Sequence, residues 1–405
     1  MIPFSPPRID DKIIEEVVKA LQSGWISTGK RTKLFEKKLI DYTGAAAVLC
    51  LNSATAGLEL ILRWYGLTEG DEVILPAYTY AATANVVIHC GAKPVFVDVN
   101  SNDFNISIDE IKKAITPRTK VIMPVDIAGL PCDYDEINAL VKSDEIIRMF
   151  KPRTPEQSQL SRILVLSDAA HSLGALYKGK RTGVLSDISV FSFHAVKNLT
   201  TGEGGAVCLN LPEGFDNQAI YNYLCIKSLH GQNKDALQKT QLGNWKYDII
   251  EAGYKFNMTD IQAAMGLIEI ERYNDDMLPK RKHIFNKYSK ALINKTWAII
   301  PQCITEHKET SYHVYTLRIK NVSEAQRDAI IQNIFEQEVA VNVHFIPLPM
   351  MSFYKNAGYS INNYPVTYQN FAQEISLPVY YDLTDEQVDT VISAVCNAVA
   401  KVLSQ

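Results

Sequence analysis

No stretch of this 405-residue sequence approaches the roughly 20 consecutive apolar residues that span a bilayer. Its opening, "MIPFSPPRIDDK", has neither the basic segment nor the apolar segment of a secretory leader. A soluble protein that stays in the cytoplasm, with no membrane partner, is the expectation. An excess of one charge is missing too. Lys and Arg number 41 against 45 Asp and Glu, a formal net charge of -4. That leaves no bulk attraction for nucleic acid, so any anion must be held by a local site. The seven cysteines, at 50, 90, 132, 208, 225, 303 and 396, show no paired spacing for a disulfide framework or zinc. Reduced core thiols and no bound metal are expected. There is no internal repeat and no low-complexity segment. No G-x-G-x-x-G follows the first strand, which argues against a dinucleotide-binding dehydrogenase.

What is present is a rhythm. With 47% hydrophobic residues the chain can bury a large core. From about residue 45, β-rich runs such as "AAAVLCLN", "DEVILPA", "KPVFVDV", "TKVIMPVDI" and "RILVLSD" alternate with helical stretches. This is the pattern of βα units building a mostly parallel sheet covered by helices, an α/β fold. The alternation weakens near residue 262. A long helical pattern follows, then strands "YHVYTLRI" and "VNVHF", and a last helix whose Thr384 and Gln387 are spaced as a capping box. A large domain over 1–262 and a smaller α/β domain over 263–405 are therefore expected. The polar piece from Lys142 to Ser161 reads as a surface insertion.

In open parallel sheets ligands bind at the carboxyl ends of the strands, so the residues just past each apolar run carry the functional information. After "VLCLN" come Ser53, Ala54 and Thr55, which open a helix; they read either as a plain N-cap or as a phosphate site. After "EVILPA" come Tyr78, Thr79 and Tyr80, core aromatics or a platform for a flat ring. After "ILVLS" comes Asp168, with His171 close behind, and a buried acid there calls for a cationic partner. Between "ISVFSFH" and "GGAVCLN" stands a single lysine, Lys197, followed by Gly202, Gly204 and Gly205.

Pyridoxal phosphate would use all of these at once. It needs an amine for a Schiff base, a carboxylate to keep its ring nitrogen protonated, a phosphate cradle and a ring to stack on. Lys197, Asp168, the Ser53 to Thr55 turn and Tyr80 supply one of each, and Ser192 adds a hydroxyl toward the phosphate.

These residues sit in blocks that carry a family resemblance. Through "SGWISTGK", "LNSATAGLELIL", "SDAAHSLGA", "FSFHAVKNLTTGEGGAV", "GYKFNMTDIQAAMGL" and "VNVHFIPLP" the chain resembles the DegT/StrS sugar aminotransferases, fold-type I pyridoxal phosphate enzymes that aminate keto sugars on nucleotide carriers. The resemblance implies Lys197 as the Schiff-base lysine, Asp168 as the acid at the pyridine nitrogen and His171 beside the phenolate oxygen. It implies Tyr80 as the stacking ring and Ser53, Ala54, Thr55 and Ser192 as phosphate contacts. Asn257 would reach the phosphate of a neighbouring subunit's cofactor, which implies a homodimer with shared sites. The implied reaction moves an amino group from an amino acid, glutamate by analogy, through pyridoxamine phosphate to a nucleotide-diphosphate keto sugar, best matched by 4-keto sugars of surface polysaccharide or lipopolysaccharide. His194, His344, Thr28 and Lys30 are read either as substrate contacts or as packed histidines and a helix-leading turn. A lysine at position 197 argues against the family's dehydratase branch, where a histidine stands there. A dehydratase or eliminase on the same cofactor, and a non-catalytic protein that binds it for regulation, remain the other readings.

Overall fold

The computed structural model describes residues 1–234 and 245–404. Seven strands form the main sheet: β1 (Ala47–Leu51), β2 (Glu72–Pro76), β3 (Lys93–Val97), β4 (Thr119–Ile122), β5 (Leu164–Asp168), β6 (Ile188–Ser192) and β7 (Gly205–Leu209). Their spatial order is β1-β7-β6-β5-β4-β2-β3. All neighbours are parallel except β7, which runs antiparallel to both β6 and β1. The near-continuous apolar runs follow from burial on both faces. In β1, Leu49 and Leu51 join one core with Leu58 and Ile61, while Val48 and Cys50 join another with Phe35, Phe191 and Phe193.

A second unit is built on a three-stranded antiparallel sheet of β8 (Ala298–Ile299), β9 (Tyr315–Ile319) and β10 (Glu374–Leu377), packed with helices Leu278–Leu292, Glu324–Phe335 and Asp385–Leu403. The last helix begins on the expected capping box between Thr384 and Gln387. Ile2 belongs to this second core and bridges to Val339, so an N-terminal residue packs with the C-terminal helices and strands.

Three expectations change in detail. The division after residue 262 falls inside the helix Asp260–Glu271. Thr259 and Gln262 cap that helix reciprocally, and a Cβ on Gly266 would meet the Phe35 ring at 2.5 Å. Its face therefore belongs with the N-terminal helix Lys30–Thr43, in the core that Phe35 anchors. "VNVHF" forms no ladder: Asn342 makes one bridge with Ser376, the Val343 N–H turns to the Asn342 side chain and the His344 N–H to the Glu374 carboxylate. The Lys142 to Ser161 piece carries two short helices, Asp144–Met149 and Pro155–Leu160, tied to the large domain where the Gln157 amide donates to the Tyr65 carbonyl.

Candidate active site

The carboxyl ends of β1, β2, β5 and β6 open into a cleft of about 450 Å³, within the roughly 300–1,000 Å³ usual for small-molecule sites. Chain geometry fixes one wall. Ser53 caps the helix Ala54–Trp64 by accepting from the Ala56 N–H at 3.0 Å, and leaves the first-turn amides of Ala54 and Thr55 without intrahelical partners. Gly205, at the start of β7, lies so close behind this turn that a Cβ there would come within 2.4 Å of the Ala54 nitrogen. Only glycine lets the strand back the turn at that distance. Ser192 ends β6 paired with Gly205, next to this turn, and Tyr80, 62% exposed, leads the helix Ala81–His89 and holds its ring 5.7 Å from Phe345.

Asp168 ends β5 on the cleft floor. Its carboxylate accepts from the Thr83 hydroxyl at 2.8 Å and from the Ala170 N–H at 3.2 Å. Burial pushes its pKa above the ordinary value; the two donors and the Lys197 charge work the other way. Lys197 lines the same cleft, and burial drives its amine down to about 8, against the pull of Asp168. Among the described residues neither group has an ion-pair partner within 4.0 Å. Acid and base thus face a common space, both poised by dehydration.

Three histidines besides the exposed His194 line the cleft, and burial keeps each of the three neutral. His171 accepts the Ala128 N–H on Nδ1 at 3.2 Å, so its proton sits on Nε2. His313 lies 4.5 Å from the His171 ring, centroid to centroid. Its Nδ1 donates to Asn198 Oδ1 at 2.8 Å, a direction set because the Asn198 amide nitrogen donates to the Ser311 carbonyl. His344 engages Ser376 through Nδ1.

Ser53, Ala54, Thr55, Tyr80, Asp168, His171, Ser192, His194, Lys197 and His344 thus line one cleft. Thr28, Lys30 and Asn257 do not. The Asn257 amide nitrogen donates to Thr28 Oγ1 at 2.7 Å and its oxygen accepts from Lys255 at 2.6 Å, while its backbone bridges Leu51 at the end of β1. Sequence reasoning missed Thr83, His313 and Phe345 as site residues. Thr83 was within reach, since it sits one helical turn past Tyr80 and faces the same strand end.

A lysine depressed to about 8 is half neutral there, whereas an ordinary lysine, near 10.5, carries its proton. Reductive labelling of the cofactor-free protein with an aldehyde should therefore modify Lys197 ahead of ordinary lysine side chains, its rate rising through a midpoint near pH 8 and levelling by pH 9. A midpoint near 10 would mean that the amine is fully hydrated.

The chain matches the DegT/DnrJ/EryC1/StrS aminotransferase family over residues 7–150 and 155–396. It belongs to that family. The spore coat polysaccharide biosynthesis protein SpsC of Bacillus subtilis is 35% identical over 98% of this chain and 97% of its own. Among solved structures, the putative sugar aminotransferase Spr1654 of Streptococcus pneumoniae in its PMP form is 44% identical with a TM-score of 0.95, covering 99% of this chain and 100% of that one. PseC of Helicobacter pylori, an aminotransferase in pseudoaminic acid biosynthesis, is 25% identical with a TM-score of 0.86 and 99% coverage of both chains. The fold is that of fold-type I pyridoxal phosphate enzymes, and the family's chemistry is sugar transamination with pyridoxal phosphate as cofactor.

Proposed function

We propose that the protein transfers an amino group from an amino acid, glutamate, to a keto sugar carried on a nucleoside diphosphate, at the 4-keto position, in the cytoplasmic assembly of a surface polysaccharide or lipopolysaccharide. The observation that carries the transamination is that Lys197 and Asp168 face one cleft and that, among the described residues, neither has an ion-pair partner within 4.0 Å. The polysaccharide context is supported by the similarity to SpsC, a spore coat polysaccharide biosynthesis protein.

The residues present fit the family's cofactor. A buried carboxylate lacking a counter-cation suits a protonated ring nitrogen, and the Ser53 to Thr55 amides with Ser192 suit a phosphate. When bound, pyridoxal phosphate supplies an electron sink for the pair left behind as a substrate carbon loses its proton. Asp168 holds positive charge at the floor and keeps that sink effective. Lys197 Nζ, neutral at moderately alkaline pH, would take the proton from the substrate carbon and return it two bonds away. His171, with its proton on Nε2, donates into the cleft beside Lys197. Tyr80 offers a flat face, and His194 stands at the cleft mouth 3.6 Å from Glu203.

Glutamate should bleach the cofactor's aldehyde absorption, and a panel of keto-sugar nucleotides should restore it in the order of true substrates. Conversion by glutamate with no restoration by any 4-keto nucleotide sugar would remove the proposed acceptor.

Asn257, which does not line its own chain's cleft, supports a homodimer in which it completes the phosphate site of the other subunit, with Thr28 and Lys30 contacting substrate there. Asn257→Ala should loosen cofactor retention about 10-fold, as expected for the loss of one hydrogen bond to a charged group. Mixed with inactive Lys197→Ala subunits, it should recover part of the activity, because one site of each mixed dimer is then intact. Verified subunit exchange without recovery would place both residues in the same subunit's site.

A further inference from the structure

His344 is the end of a buried polar chain that leads away from the cleft. Its Nδ1 lies 2.9 Å from Ser376 Oγ, and Ser376 Oγ lies 2.5 Å from Glu374 Oε1. Glu374 and Ser376 are both fully buried on β10, and Glu374 Oε2 accepts the backbone N–H of His344 at 3.0 Å. The imidazole is held on its face as well, stacked on Phe4 at 5.4 Å and 21°. With Nδ1 committed, Nε2 is the ring nitrogen left for the cleft that His344 lines.

We propose that Glu374, Ser376 and His344 form a proton relay that stores a proton on the buried carboxyl and delivers it to the cleft through His344 Nε2. This rests on the aminotransferase reading for the use made of the proton, and on the geometry alone for its existence. The chain has two states with the same heavy-atom positions. In one, Glu374 is ionised, the Ser376 hydroxyl donates to it, His344 Nδ1 donates to Ser376, and Nε2 carries a lone pair. In the other, the Glu374 carboxyl donates to Ser376, the Ser376 hydroxyl donates to Nδ1, and Nε2 carries a proton. Passing from the second to the first moves one proton along each link: Glu374 to Ser376 Oγ, Ser376 Oγ to Nδ1, and Nε2 to an oxygen or nitrogen in the cleft. The reverse restores the store. At no point is the ring doubly protonated.

That last property is what the surroundings favour. Burial and the nearby Lys197 charge press the His344 imidazolium down to about 4, so a proton does not rest on the ring as extra charge near neutrality. Burial raises Glu374 to about 8, although Arg327 and Arg318 lie close enough to lower it and the Ser376 and His344 donors act in the same sense. Arg327 is occupied by the Phe371 and Glu374 carbonyls, and Arg318 by Ser101, Asn102 and Asn370. Neither is hydrogen-bonded to the Glu374 carboxylate. Tyr78 lies near the same carboxyl, and burial together with the Glu374 charge keeps its hydroxyl protonated. The proton store therefore fills below pH 8 and empties above it, within the range where Lys197 also changes charge.

The test reads the ring directly. Imidazole nitrogen NMR of the cofactor-free protein, with His344 assigned by its loss in His344→Gln, should show the proton on Nε2 below pH 8 and on Nδ1 above it, with no imidazolium between pH 5 and 9. Glu374→Gln and Ser376→Ala should each abolish that change, while Ser376→Thr, which keeps the hydroxyl, should retain it. In the loaded enzyme Ser376→Ala should lower kcat about 10²-fold, as for loss of a general acid–base group, with KM within about 2-fold and circular dichroism unchanged. A tautomer that ignores pH in the wild type, or a pH response that survives Ser376→Ala, overturns the relay. Because the NMR needs no substrate, failure of the proposed keto-sugar acceptor leaves this result standing on its own.

Discussion

Lys197→Ala is expected to reduce turnover by at least about 10⁴-fold, combining the upper range for a lost general base with the loss of the covalent anchor. Among the described residues the amine is the one lysine that lines the cleft, and burial has brought it to about 8, where it exchanges protons at physiological pH. Alanine removes it without stressing the fold. The backbone of the segment is held independently, by the Lys197 N–H to the His194 carbonyl and by the Asn198 side chain on Ser311 and His313. Lys197→Arg is the sharper control. It keeps a cation but one that does not lose its proton in proteins, so it should be as inactive as alanine, while a role in charge alone would spare it. Borohydride treatment of the loaded protein, followed by peptide mass mapping, locates the covalent link. A reducible yellow species that persists in Lys197→Ala would remove the assignment.

The residues that a reader of the sequence finds are those whose chemistry falls at the end of an apolar run. Asp168 and Ser192 are the last residues of β5 and β6, and Ser53 stands two past β1, so strand period and polar punctuation mark them together. The relay and the His313 wall have no such mark. Glu374 and Ser376 read as alternate positions of an ordinary strand, and His313 lies in a segment shaped by tertiary contacts. Tyr312 there holds a left-handed φ of 57°, which a bulky side chain adopts only when its surroundings impose it. Here the imposing contacts are Arg281 on the carbonyls of Tyr312 and His313, and Ser311 on Gly129 and His171. Partners more than 30 residues apart leave no periodic trace. The helices around residue 262 differ from the pattern in another way. The helical pattern after residue 262 looks continuous, yet the structure breaks it at Tyr273–Met277 in a π-helical turn, and Pro279, at the start of the next helix, was the local signal for that break.

Asp168→Asn is expected to separate activity from stability. The substitution keeps the shape and an oxygen for the Thr83 hydroxyl or the Ala170 N–H, but it removes the negative charge from the cleft floor. Loss of one preorganised electrostatic partner costs about 10²- to 10³-fold in rate, and the loss should fall on kcat, because the charge is needed while the substrate carbon is deprotonated rather than while substrate binds. Stability should move the other way. The cofactor-free wild type holds Asp168 with its pKa raised above the ordinary 3.8 by burial, so the folded state binds a proton more readily than the unfolded chain does. By linkage this group's contribution falls as pH rises from below 3.8 through the raised folded value, and above it the full cost of a buried charge remains. Asparagine carries no such cost. The cofactor-free Asp168→Asn protein should therefore unfold at the same temperature as wild type or a few degrees higher at pH 7 to 8, and the difference should shrink in acid. Cofactor should reverse the order, since it gives Asp168 the cationic partner that the empty cleft lacks and raises the wild-type midpoint more than that of the variant. Scanning calorimetry of both proteins, with and without pyridoxal phosphate at two pH values, gives the four comparisons needed. A variant less stable than wild type in the cofactor-free form, at an unchanged rate, would make Asp168 a structural acid that serves Thr83 alone.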